Sequence, residues 1–198
     1  MSTGLIIFVK NPELGKVKTR LAQTVGDEQA LFIYKQLLEI TSTVAKNSLI
    51  PSLIFFSENI PKDLGNWKHE QFSYHVQTKG SLGEKMADAF HQAFKKFDRV
   101  LIIGSDCPYI TADLLKEASN HLDQNDVVIG PAEDGGYYLI GMNKMYIHLF
   151  KDIPWSSASV FEETKSKVIQ SNLRLKTLKT LSDIDYEEDW KVYLGFRH

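Results

Sequence analysis

Four short, unbroken apolar runs constrain this chain more than any other feature: Leu5–Val9, Leu53–Phe56, Val100–Ile103 and Val127–Ile129. Runs of that length without polar alternation suit strands covered on both faces. Tyr74–Val76 and Tyr137–Ile140 are weaker strand candidates. Leu173–Leu178 alternates apolar and polar residues, as a late or edge strand does. Between the runs lie segments with helical spacing. Ala30, Ile33, Tyr34, Leu37, Leu38, Thr41 and Val44 fall on one helical face. Ser81 and Glu84 have the spacing of a capping box, ahead of a face made by Leu82, Met86, Ala89, Phe90, Ala93 and Phe97. Thr111 is placed to cap a helix carrying Leu114, Leu115, Ala118 and Leu122, and Val160, Phe161, Thr164 and Val168 mark another. A final helix is expected to open at Asp185 as N-cap with Glu188 in its first turn, and to set Trp190, Tyr193 and Leu194 on one side. Buried strands alternating with amphipathic helices predict an α/β fold in which a mostly parallel mixed sheet lies between helices. With no linker, repeat or biased tract, residues 1–198 are expected to form a single domain.

Charge and cysteine content narrow the function. Lys plus Arg number 23 and Asp plus Glu 25, a net charge of -2 that argues against nucleic acid as a partner. The one cysteine, Cys107, excludes an intramolecular disulfide and a thiolate metal cluster; it reads as a small buried residue beside Pro108, and a reducing, cytoplasmic location is expected. Leu5–Val9 is too short for a signal-peptide core, and no run approaches the ~18 apolar residues of a membrane span. His69, His75, His91, His121, His148 and His198 show no paired metal spacing. Nothing in the sequence sets an oligomeric state.

In sheets of this kind ligands bind beyond the carboxyl ends of the strands, and the unusual residues follow the strands here. After Val9 come Lys10, Lys16, Lys18 and Arg20, with Gly15 among them. Such a loop can surround a polyphosphate or simply be solvated. It is neither a Walker A loop nor a dinucleotide fingerprint. Asp106 follows the Val100–Ile103 run, placed to hold a divalent metal, to make an Asx turn or to cap the Thr111 helix. Glu133-Asp134-Gly135-Gly136-Tyr137-Tyr138 is either a flexible acidic loop against a sugar or base, or a tight turn between strands. Around Asp185 the spacing favours helix capping over metal binding. Pro154-Trp155-Ser156-Ser157 is an acceptor-side lip or the approach to the next helix.

Phe8-Val9-Lys10-Asn11-Pro12 through Arg20-Leu21, Gly80-Ser81-Leu82-Gly83-Glu84-Lys85-Met86, Gly104-Ser105-Asp106-Cys107-Pro108, Gly130 through Gly141, Ile153-Pro154-Trp155-Ser156 and Asp183-Ile184-Asp185 occur in that order almost end to end. This succession resembles a bacterial glycosyltransferase-like family, DUF2064, of the nucleotide-diphospho-sugar transferase superfamily, similar to 2-phospho-lactate guanylyltransferase. The resemblance implies a GT-A, Rossmann-like domain. It implies Mg²⁺ or Mn²⁺ at Asp106, with Asp185 as a second ligand and Glu188 assisting. It places Lys10, Gly15, Lys16, Lys18, Arg20, Gly80, Leu82 and Gly83 at the nucleotide and its phosphates. It gives Asp134 and Lys85 a catalytic part, with Lys85 standing where Arg is expected, and sets Glu133, Gly135, Gly136, Tyr137 and Trp155 at the acceptor or sugar. The expected function is a metal-dependent transferase with a nucleotide-sugar donor and a small-molecule acceptor. One alternative is a nucleotidyltransferase that joins an NTP to a small phosphorylated acceptor and releases pyrophosphate. Another is a non-catalytic nucleotide-binding module, which the replacement of an Asp-x-Asp pair by Ser105-Asp106-Cys107 favours.

Overall fold

A computed structural model describes residues 1–195; of the histidines named above, His198 lies outside the described residues. The apolar runs become strands β1 (Thr3–Val9), β2 (Ser52–Phe56), β4 (Arg99–Ile103) and β5 (Val127–Pro131). The weaker candidates are strands too: β3 (Phe72–Val76), β6 (Tyr137–Met142) and the short β7 (Leu175–Thr177). All seven join one sheet in the order β3-β2-β1-β4-β6-β5-β7. Pairing is parallel except along β6, which runs antiparallel to both β4 and β5.

The unbroken hydrophobicity of β1 follows from this position. Leu5, Ile7 and Val9 point into one core with Tyr34, Leu38 and Leu115, from helices α2 (Asp27–Ser48) and α4 (Ala112–His121). Ile6 points into the other, with Met86 and Phe90 of α3 (Leu82–Ala93) and Val168 of α5 (Val160–Gln170). Successive strand side chains face opposite ways, so a strand covered twice has no polar positions to spare. Helix ends are fixed as the sequence predicts at two places. Ser81 and Glu84 form the capping box of α3, and the Thr111 hydroxyl accepts from the Leu114 N–H at the start of α4.

Two features differ from expectation. The basic segment after β1 does not stay a loop: it enters a short helix, α1 (Thr19–Val25), which Leu21 anchors against Ala30, Ile33 and Leu37. The last helix, α6 (Glu187–Gly195), is not capped by Asp185. Asp189 instead reaches back, and its Oδ2 accepts from the N–H groups of Asp185 (2.9 Å) and Tyr186 (2.7 Å). Its inner face carries buried Tyr193 but not Leu194, which is exposed. Among the described residues no helix is long and apolar enough to cross a membrane.

Candidate functional site

The chain lays down β1, β2 and β3 in one direction and then returns to place β4 on the other side of β1. Loops leaving β1 and β4 therefore part in opposite directions, which opens a crevice at the carboxyl rim. A cavity of about 590 Å³ occupies it. Phe8 and Lys10 come from the end of β1, and Gly104, Ser105 and Asp106 from the end of β4. Because β6 is reversed, its amino end reaches the same rim and contributes Tyr137 and Tyr138. Lys18, Thr19 and Arg20 of the α1 start, Leu82 and Lys85 of the α3 start, and Asp183 and Asp185 before α6 complete the wall.

One hydroxyl ties the crevice's two banks. Tyr34 reaches up from α2, and its Oη lies 3.0 Å from both the N and the O of Lys10 and 3.3 Å from Ser105 Oγ. Burial first, and then the Asp106 charge, push the Tyr34 phenol well above the ordinary tyrosine range, so it remains a neutral hydrogen-bonding group.

At the mouth, Lys18 Nζ lies 2.8 Å from Asp106 Oδ1 and 3.2 Å from Asp185 Oδ1, with only 6% of its side chain exposed. Arg20 Nη1 meets the other oxygen of Asp185 at 3.1 Å. Burial is the largest single influence on the Lys18 pKa and lowers it. The Asp106 and Asp185 carboxylates together outweigh it, and the net shift is upward.

Asp185 reaches this place through its neighbour. Ile184 is fully buried among Leu21, Ile33 and Leu37, and its N–H donates to the Asp106 carbonyl at 3.0 Å. With Ile184 turned into the core, Asp183 and Asp185 both come to the cavity wall. Asp183 sits where a negative charge is disfavoured. Burial, then the nearby Asp106 charge, raise its pKa to about 7, against the pull of Lys18. Sequence alone does not single out Asp183 as a site residue; the alternation of Asp183, Ile184 and Asp185 is its one local signal. In the sequence Tyr34 shows only as a helix-face residue. Cys107 is buried, its thiol pushed upward by burial and then by Asp183, in keeping with a packed, un-ionised side chain.

Of the residues to which the sequence assigns a catalytic, nucleotide, acceptor or metal role, Lys10, Lys18, Arg20, Leu82, Lys85, Asp106, Tyr137 and Asp185 line this cavity. The rest lie apart from its wall. Lys16 is exposed and pairs with Glu13 at 2.6 Å, and Gly15 occupies a left-handed turn beside it. Gly80, at φ 127, sits over the Glu84 carboxylate of the capping box. Gly83 is covered: a Cβ there would stand 2.6 Å from Trp155 Nε1 and 2.8 Å from the Phe150 carbonyl. Glu133-Asp134-Gly135-Gly136 forms the turn between β5 and β6, in which Asp134 Oδ1 accepts from the Gly136 N–H at 2.8 Å. Gly135 (φ 87) lies against the Ala158 carbonyl, so its close approach is to the chain's own backbone. Trp155 packs edge-on to Tyr137, and Glu188 is exposed on α6. Among the described residues no three Asp, Glu, His or Cys side chains converge closely enough to hold a metal ion as they stand.

Comparison with known proteins agrees with the architecture. The family described as "Uncharacterized protein conserved in bacteria (DUF2064)" matches residues 40–157. A protein of Desulfovibrio desulfuricans G20, provisionally named a nucleotide-diphospho-sugar transferase, is 34% identical, with 94% of this chain and 84% of that one covered at a TM-score of 0.87. The 4-diphosphocytidyl-2C-methyl-D-erythritol synthase of Anaerococcus prevotii DSM 20548 shares the fold at 13% identity, covering 99% and 96% of the two chains, with a TM-score of 0.68. A Mycobacterium tuberculosis H37Rv protein solved in complex with manganese shares it at 10% identity, covering 98% of each chain, with a TM-score of 0.62. No curated protein matches the chain. The fold is thus that of the GT-A-like nucleotidyltransferases and nucleotide-diphospho-sugar transferases.

Proposed function

Because the chain belongs to the bacterial DUF2064 family, and its switch-point crevice joins cationic side chains to a row of aspartates, we propose that it is a metal-assisted transferase acting on a nucleotide-sugar donor. The observation that carries this reading is the meeting of Lys18 with Asp106 and Asp185 at the cavity mouth. Lys10, Lys18, Arg20 and Lys85 would share the donor's diphosphate charge, Arg20 through its planar fork and the lysines as mobile point charges. Phe8, Met86, Ile102 and Ile140 form an apolar floor for the donor's uncharged parts. The name of the 34% identical Desulfovibrio protein supports this donor class.

The donor set fits a hard divalent ion. Asp106 and Asp185 offer only carboxylate oxygens, the ligands Mg²⁺ and Mn²⁺ prefer, and they already share a cationic partner in the Lys18 ammonium. Asp106 and Asp185 would hold the ion, with Asp183 adding negative charge behind them. Bound there, Mg²⁺ or Mn²⁺ would neutralise charge on the leaving diphosphate. Arg20 and Lys85 would orient that diphosphate, and Tyr34 would keep the two banks at fixed separation. Asp134, tied to its own turn, has no step in this reading.

A second reading, nucleotidyl transfer from an NTP to a phosphorylated acceptor, is favoured by one observation. Four cationic side chains on a single cavity suit a triphosphate better than a diphosphate. Product analysis separates the two. The protein is incubated with UDP-, GDP-, ADP- and TDP-sugars, and then with each NTP plus phosphorylated acids. Nucleoside diphosphate release with sugar transfer is expected. Pyrophosphate release without sugar consumption selects the second reading, and metal-indifferent binding without product rejects both.

A further inference from the structure

Lys18 combines three properties rarely found together. Its ammonium is almost wholly removed from solvent and sits within 2.8 Å of Asp106 and 3.2 Å of Asp185. Its backbone adopts φ 48, ψ 46, the left-handed conformation that costs a side-chain-bearing residue about 1 kcal/mol. It stands at the N-cap of α1 without capping it, its side chain turned into the crevice. The chain thus enters α1 through a residue in the left-handed region, and that turn brings one positive charge between two carboxylates.

One ammonium does not by itself balance both carboxylates. An ammonium is monovalent and donates hydrogen bonds but accepts none, whereas the two carboxylates carry twice its charge. Asp185 takes up the remainder with half-exposed Arg20. Building on the reading above that Asp106 and Asp185 are metal-holding residues, we propose that Lys18 is a resident placeholder for the divalent cation. The cation reaches the two carboxylates only by displacing the ammonium, and the freed ammonium turns to the donor's phosphate in the same cavity. Metal alone must expel Lys18 from both carboxylates, with only Asp183 on the cavity wall left to receive it. Metal arriving with a nucleotide brings the donor's phosphate. Cation and donor then load together, each raising the other's affinity, as linkage requires. The device keeps the site electrically closed when no donor is present.

The test reads Mn²⁺ binding rather than turnover, from the electron paramagnetic resonance signal of the free ion. Wild type, Lys18→Met and Lys18→Arg are titrated with Mn²⁺ alone and with Mn²⁺ plus UDP, GDP, ADP or TDP. Lys18→Met, about as long but uncharged, is expected to bind Mn²⁺ alone roughly tenfold more tightly than wild type, since the competing charge is gone. Its affinity should rise less on adding nucleotide than that of wild type. Lys18→Arg keeps the charge and is expected to bind Mn²⁺ alone as weakly as wild type, which provides a reading even if Lys18→Met fails to fold. Lys18→Met binding Mn²⁺ no more tightly than wild type overturns the placeholder. So does Lys18→Arg binding it tightly. Wild type that takes up no Mn²⁺ with any of the nucleotides removes the transferase reading itself. Nucleotide-dependent uptake by wild type without the Lys18→Met gain removes only the placeholder.

Discussion

The hydroxyl of Tyr34 lies 3.3 Å from Ser105 Oγ while also touching the backbone N and O of Lys10, so one phenol bridges the ends of the two central strands β1 and β4. The crevice opens between those ends, and its width depends on a residue rooted in the core beneath it.

Tyr34→Phe should lower stability by roughly 1–2 kcal/mol, because the Lys10 N–H and the buried Ser105 hydroxyl both lose a partner. Urea denaturation measures this. Nucleotide affinity should fall as well, since Lys10 would no longer be held at the rim. Unchanged stability and affinity would show that the bridge is idle.

Arg20 and Lys16 are both cations of one segment, but only Arg20 lines the cavity. Arg20→Ala is expected to weaken nucleotide binding by roughly tenfold, the scale of one lost charge-assisted contact. Lys16→Ala should leave it unchanged. Isothermal calorimetry on the two variants decides the matter, and equal losses would count against the assignment of the wall.

Gly83 has no room for a side chain. A Cβ there would press on Trp155 Nε1 and on the Phe150 backbone carbonyl, and backbone gives way less readily than a side-chain tip. Gly83→Ala should cost about 1–3 kcal/mol, as overpacked sites do. It should also shift the Trp155 contribution to fluorescence, with Trp155→Phe as the reference that identifies that contribution.

Asp183 gives the metal-free protein a pH dependence of definite sign. Its folded pKa, about 7, stands above the ordinary aspartate value of 3.8, so the folded state binds the extra proton between those two pH values. Stability should therefore decline as pH rises from about 4 to about 7, by up to roughly 4 kcal/mol from this one group. Asp183→Asn should flatten that slope. Thermal unfolding in chelator at pH 5 and pH 8 checks it, and an equal slope in both proteins would rule out Asp183 as its source.

Much of the architecture is legible without coordinates. Leu5–Val9 and Val100–Ile103 could be little other than doubly covered strands, because each face of those strands needs an apolar partner and neither run offers a polar position. Ser81 and Glu84 announce the start of α3 because a capping box acts over only four residues. Local interactions leave local traces. The candidate site left fewer. Lys16, Lys18 and Arg20 look alike as a run of cations, yet Lys16 turns out to Glu13 while Lys18 turns in to Asp106. What separates them is the left-handed backbone of Lys18 and the anchoring of Leu21 under α1, and both are set by packing.

Composition and periodicity determined the helix-covered sheet and the rim at which to look, since burial and hydrogen bonding constrain a strand or helix over a few residues. Which carboxylates stand together was decided elsewhere. Ile184 has to be seated among Leu21, Ile33 and Leu37 before Asp183 and Asp185 can reach Asp106. Electrostatic contacts between distant segments act through space and carry no spacing along the chain, so only the folded molecule could choose them.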